Sequence, residues 1–346
     1  MHKPGAVHDA RVGREIPAAR AEIAYIGNRT FSLSPNMLNL TREIRESLDT
    51  LGISGTEETP SGLAVETNLL RFHVAESEQH LRFECRLVEG VQRNKLALWN
   101  VIHHNNAFVP FGQFYISPDN NVCFGFRIAA EESLRPWFGH MMYQLMQVGE
   151  AYYRVVCNDF QARPFEEDDM QMDALSLFRT ELVRPDEGGY QLSQADVVEM
   201  LERQLAEIAG PENVMRISER EFALTATEFP LCLTLEQLPS LLRAEEDYGW
   251  LIGMHTEVGM LRKTNDRLWV YLNRQNYSSF LLSHTINYSS RRPMLTLKSS
   301  LIPALIQQPE LVRRALEQHF SVAPALFEEL QSPYAIQNMV DYKLGL

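Results

Sequence analysis

The 346-residue chain is poor in the residues and patterns from which catalytic and metal chemistry is usually recognised. Cysteine is scarce: Cys85, Cys123, Cys157 and Cys232 lie far apart and no pair has C-x-x-C spacing. Three of them sit in apolar runs (Phe83-Glu84-Cys85, Val122-Cys123-Phe124 and Leu231-Cys232-Leu233), where a free thiol behaves as a small hydrophobe. That usage fits a reduced, cytoplasmic protein better than a disulfide framework. No apolar stretch approaches the roughly 18 residues of a membrane span. The first residues carry arginines but no apolar core, so no secretory signal is expected there. Positive charge is also in deficit. Lys and Arg number 32 against 45 Asp and Glu, a net charge of −13, which repels phosphate backbones and disfavours nucleic acid as a partner.

Chemical motifs are missing as well. There is no G-x-G-x-x-G and no G-x-x-x-x-G-K-[ST], so neither dinucleotide nor P-loop chemistry has support. There is no G-x-S-x-G elbow, and no cysteine lies beside a histidine in a nucleophile motif. His103 and His104 are adjacent, hence about 100° apart on a helix, and cannot chelate one ion as an i, i+4 pair does. His73 and His80 flank a turn but have no Cys, Asp or Glu at ligand spacing. The carboxylates Glu166-Glu167-Asp168-Asp169 lie in a polar run and read as a solvated face. No catalytic residue, metal or cofactor is assigned, and no enzymatic activity is expected.

What is present is the composition of a folded protein, 45% apolar and 22% charged, over a length that suits two domains. Residues 1–33 read as an N-terminal arm. Ser34-Pro35 then sets a helix start, with Met37, Leu40, Ile44, Leu48 and Leu51 at helical spacing. Three strands are predicted at 63–66, 69–74 and 81–87, the last with Leu, Phe, Cys and Leu alternating on one face, as expected for antiparallel strands with a wet side. A helix over 94–105 follows, then a hairpin of 111–116 and 122–128 around Ser117-Pro-Asp-Asn-Asn121. A closing helix is predicted over 131–156. Residues 158–190 are acidic and read as a linker.

Residues 191–346 run through the same order. Sliding Leu81 onto Leu251, a shift of 170, also superposes Val88 on Val258, Leu98-Trp99 on Leu268-Trp269 and Asn106 on Asn276. A helix from Ser193, strands near 214–217, 222–225 and 231–235, a hairpin of 280–286 and 294–298, and a helix over 309–330 complete the parallel. The main difference is an insertion, Glu236–Tyr248, expected between the second and third strands. The expected fold class is therefore α+β: two repeats of helix, three strands, helix, β-hairpin and helix, with antiparallel sheets packed as a pseudo-dimer.

Aromatic residues crowd the first hairpin and its approach: Phe108, Phe111, Phe114, Tyr115, Phe124 and Phe126. Alternation puts Phe114 and Tyr115 on opposite faces, so one core cannot hold them all. A tail, packing between the repeats or a bound peptide must cover the rest, and Phe108, Phe111, Phe114, Tyr115 and Phe126 are the candidate peptide-binding residues. Trp99 and Trp269, mid-helix and equivalent, are the candidate contacts between the repeats about a pseudo-twofold axis.

The run Leu98-Trp-Asn-Val-Ile-His-His-Asn-Asn-Ala-Phe and the hairpin Phe111-Gly-Gln-Phe-Tyr-Ile-Ser-Pro-Asp-Asn-Asn-Val-Cys-Phe resemble the YbjN family, which shares its fold with type III secretion chaperones. Asn106, Phe111-Gly112, Tyr115-Ile116 and Asp119-Asn120 carry the resemblance over residues 34–157. In residues 191–346 only Asn276, Ile286 and the turn at Tyr288-Ser289-Ser290 match. The resemblance implies a cofactor-free chaperone- or adaptor-like role in a bacterial cytoplasm, binding an unidentified protein or peptide client, with the chain a monomeric internal pseudo-dimer or a homodimer. The alternative is a regulatory protein that senses a small molecule between the repeats.

Overall fold

A computed structural model describes residues 35–50, 55–59, 62–66, 70–77, 80–88, 95–109, 111–129, 135, 138–139, 141–146, 148–149, 194–225, 227–237, 250–279, 282–287, 293–301 and 309–337. The expected arm, acidic linker and most of the insertion lie outside these residues, as do Cys157 and much of the helix expected over 131–156. The described residues all belong to one compact unit, Leu33–Leu346.

Two six-stranded antiparallel sheets and their helices make up an α+β architecture. In the first half, α1 (Pro35–Thr50) is followed by β1 (Thr56–Thr59), β2 (Gly62–Glu66), β3 (Arg71–Ser77), β4 (His80–Val88), α2 (Lys95–Phe108), β5 (Gln113–Ile116) and β6 (Val122–Ala129), with helical residues at 141–146. In the second half, α3 (Gln194–Ala209) precedes β7 (Val214–Ser218), β8 (Glu221–Leu224), β9 (Leu231–Gln237), β10 (Trp250–Met260), α4 (Asp266–Ser278), β11 (Ser283–Asn287), β12 (Met294–Leu301) and α5 (Pro309–Tyr334). The sheet orders are β1-β2-β3-β4-β6-β5 and β7-β8-β9-β10-β12-β11.

Apolar spacing explains most of these elements. Leu40, Ile44 and Leu48 on α1, and Val197, Leu201 and Leu205 on α3, recur every fourth residue and are buried. Period-two alternation buries Leu81, Phe83, Cys85 and Leu87 on one face of β4. In the first hairpin, Asn120 takes the left-handed φ of 63° and donates its amide to the Ser117 carbonyl at 3.0 Å. This is the service that asparagine provides in tight turns.

Three expectations need correction. Each half has four strands before its middle helix, where three were expected in the repeat. The extra one in the first half, β1, has the sequence Thr-Glu-Glu-Thr and carries no apolar signal. It is held by pairing with β2 and by ion pairs from Arg71 to Glu57 at 2.7 Å and from Arg45 to Glu58 at 3.0 Å. The insertion lies between the third and fourth strands of its half, because β9 pairs directly with β10 from Gln237 opposite Trp250 onward. Finally, the second face of β4 is not simply wet. Arg82 reaches Tyr277 of α4, donating to its hydroxyl at 2.6 Å with the guanidinium 4.2 Å from the ring centre.

The hairpins also differ in length. The first closes with Ile116 opposite Val122, six positions on, and the second with Asn287 opposite Met294, seven positions on, so the second turn is one residue longer. Gly112 enters β5 at φ 78°, and a Cβ there would meet Phe124 and Leu145 at 2.8 Å. Gly112→Ala is expected to destabilise the protein by about 1–3 kcal/mol through strain and crowding together. Chemical denaturation of the variant beside the parent checks this.

Candidate functional site

The two halves meet where α2 and β5 of the first lie against α4 and β11 of the second. β5 and β11 end their sheets, so each presents backbone N–H and C=O groups that need partners. Asparagine side chains provide them. Asn106 of α2 accepts from the Phe114 amide at 2.6 Å and donates to the Phe114 carbonyl at 2.8 Å. Asn276 of α4 makes the same two bonds to His284, at 2.6 and 3.1 Å. A carboxamide carries a donor and an acceptor at the spacing of a peptide group, so each asparagine stands in for a neighbouring strand.

Further bonds cross between the halves. Asn273 accepts from the Ile116 amide at 2.8 Å and donates to its carbonyl at 3.0 Å, closing the next outward position of β5. The position equivalent to Asn273 at the shift of 170 is His103, whose Nδ1 lies 3.3 Å from the His284 carbonyl. The Gln113 amide donates to the Asn276 carbonyl at 2.8 Å, and Lys298 Nζ donates to the carbonyls of Ala107 and Val109 at the end of α2, at 3.2 and 2.8 Å.

The aromatic residues singled out in the sequence pack chiefly within the first half, with Tyr115 at the junction. Phe111, Phe114, Tyr115 and Phe126 are all buried. Phe126 stacks on Phe83 at 4.8 Å and meets Phe111 at 5.2 Å, while Phe114 pairs with Phe124 at 4.7 Å. Tyr115, on the opposite face, packs edge-on against Tyr277 at 5.6 Å and donates to Glu84 at 2.6 Å. As placed, none of the four offers an open surface to a peptide: the three phenylalanines are covered within the first half, and Tyr115 packs on Tyr277 of the second. The Phe108 side chain lies outside the described part. Trp99 and Trp269 are both buried, and the Trp269 ring lies 4.9 Å from the His103 ring across the junction.

Sequence reasoning missed two other features. One is a buried relay: His319 of α5 lies 2.8 Å from Ser299 Oγ through Nε2 and 3.0 Å from Thr256 Oγ1 through Nδ1. A hydroxyl beside an oriented imidazole is the arrangement acyl-transfer chemistry uses. Here burial holds His319 down at about 3, so the ring is a poor proton acceptor, and the relay serves to pin α5 to β10 and β12. His73 and His80 are not brought together; His73 pairs with Glu84 and His80 with Ser77. Among the described residues no group of three His, Cys, Asp or Glu is placed to hold a metal ion, and no helix is long and apolar enough to cross a membrane.

The other feature is the edge strand β7. Among the described residues it pairs with β8 alone, and Met215 and Ile217 are 54% and 51% exposed, the most exposed of the large apolar side chains described. Thr225 donates to the Asn213 carbonyl at 3.0 Å, which sets the alternation so that the backbone groups of Val214 and Arg216 face away from β8. Arg216 is anchored behind the strand, 3.5 Å from Glu202 of α3 and 5.9 Å from the Phe222 ring centre. The corresponding edge β1 is charged and ion-paired, the usual protection for an edge, whereas β7 shows two apolar side chains. The pattern Val-Met-Arg-Ile-Ser was legible as a strand, but not as an edge.

In comparisons with known proteins, no family model and no curated protein matches this chain.

Two outcomes are expected from the junction. Asn106→Asp keeps shape and acceptor but loses the donor to the Phe114 carbonyl, and is expected to cost about 2–3 kcal/mol, read by denaturant titration at pH 7. Burial also holds His103 down at about 4 and His284 at about 3, as it does His319. The unfolded chain protonates these rings near pH 6.5, and the folded chain only near pH 4 and below. Stability is therefore complete above pH 6.5 and falls steadily as the pH drops from there towards 4. His103→Asn, which copies the residue at position 273, should reduce that acid-dependent loss, measured as midpoint denaturant concentration against pH.

Proposed function

We propose that this chain is a non-catalytic protein-binding module, chaperone- or adaptor-like, that takes up an extended segment of a client as an added strand beside β7. In this reading the chain is a tandem duplication packed as a pseudo-dimer, and it retains the YbjN-like character read from its sequence. The junction is its scaffold and the β7 edge its binding face.

The observation that carries the proposal is the exposed pair Met215 and Ile217 on a strand whose outer backbone groups are directed away from its sheet. Strand addition draws affinity from main-chain hydrogen bonds and selectivity from alternate side chains, and β7 supplies both. The two edges at the junction are closed by asparagines and the β1 edge by charge, which leaves β7 as the edge with an apolar face. The duplication reading is supported by the matching strand orders and by the Asn106–Phe114 and Asn276–His284 bonds, which recur at the same shift of 170 as the sequence match. The net charge of −13 favours clients with basic segments. The alternative, a small-molecule sensor between the repeats, draws less support from the described residues, whose cavity beside Gln113 and Ser283 measures about 20 Å³.

Display selection of random peptides against the full chain tests the proposal. Peptides with alternating apolar residues and net positive charge should be enriched, and a selected peptide should slow hydrogen exchange at Val214 and Arg216. Met215→Arg with Ile217→Arg should weaken binding by about tenfold or more. Peptides that bind the double variant as well as the parent, or a selection that yields none, would sink the proposal.

A further inference from the structure

We infer that one ordered water molecule occupies the cavity between Gln113 and Ser283 and bridges the two halves of the chain. Gln113 on β5 and Ser283 on β11 line the same cavity of about 20 Å³, together with Lys298 and Ser299. Both side chains are buried, at 3% and 6% exposure, and both have a polar atom without a protein partner: Oε1 of Gln113 and Oγ of Ser283. Buried oxygens left without a hydrogen bond cost about 1–3 kcal/mol each, so a site holding two of them is built for an occupant.

The chemistry of that occupant is narrowly set. Gln113 Nε2 faces the Asn276 carbonyl at 2.8 Å, so turning the amide over would oppose two acceptors. Oε1 is thus the amide atom left without a partner, and it requires a donor. Halides and carboxylates have no proton to donate. A small cation such as ammonium is repelled by the Lys298 ammonium on the cavity wall, which is fixed by its bonds to Ala107 and Val109. The volume has room for a water molecule. A water donating to Gln113 Oε1 and sharing a hydrogen bond with Ser283 Oγ satisfies both orphaned atoms at once.

The two positions are 170 apart, the same offset that relates Asn106 to Asn276. Gln113 is long enough to reach the terminal turn of α4, whereas serine at 283 is short, and the water fills the difference in reach. The inference rests on the cavity and its orphaned atoms and stands whether or not β7 binds a client.

A crystal structure of the full chain at about 1.8 Å or better tests it. The expected result is a density peak within hydrogen-bond distance of both Gln113 Oε1 and Ser283 Oγ. In Ser283→Val the peak should be lost and the melting temperature should fall by about 2 °C as Gln113 Oε1 loses its partner. The inference is overturned if internal waters are resolved elsewhere but not here, if a protein donor is found on Gln113 Oε1, or if Ser283→Val melts at or above the parent.

Discussion

The structure depends on closing the outer edges of β5 and β11. A terminal strand in a buried position has backbone groups that neither water nor a neighbouring strand can satisfy, and each such group costs as much as a lost hydrogen bond. Carboxamides from the middle helices remove that cost: Asn106 and Asn276 within their own halves, and Asn273 across the junction. Once those edges are closed by helix side chains, the helices must lie against the strands, and the halves must lie against each other.

The rest of the junction follows from that placement. Lys298 satisfies the end of α2, and Gln113 satisfies a carbonyl in the last turn of α4. Burying His103 and His284 beside these bonds keeps both imidazoles neutral, which ties the junction to pH. Tyr115 and Tyr277 fill the face of β5 that the first core cannot use. Of the aromatics that look like a surplus in the sequence, the phenylalanines pack on one another in the first half and Tyr115 makes the contact with the second. The exposed apolar pair Met215 and Ile217 lies at the other end of the second sheet, on β7.

Much of the fold was legible in the sequence because burial imposes periodicity. Leu81, Phe83, Cys85 and Leu87 announce a strand, and Leu40, Ile44 and Leu48 a helix, without any knowledge of their neighbours. β1 was not legible, since Thr-Glu-Glu-Thr is stabilised by pairing with β2 and by arginines distant in sequence, not by apolar alternation. The candidate site was the least legible part. Aromatic content was a guide to burial, and Met215 with Ile217 has the same local pattern as any half-buried strand.

By itself, then, the sequence determined the element types, the α+β class, and the absence of recognisable phosphate, disulfide and nucleophile motifs, because each of these depends on residues near one another in the chain. Tertiary structure decided which strands became edges, which edges were closed, and which aromatic faces were covered. Those outcomes depend on contacts between residues more than 150 positions apart, such as Asn273 with Ile116 and Arg82 with Tyr277. No local pattern records them, because an edge is defined by what fails to pair with it.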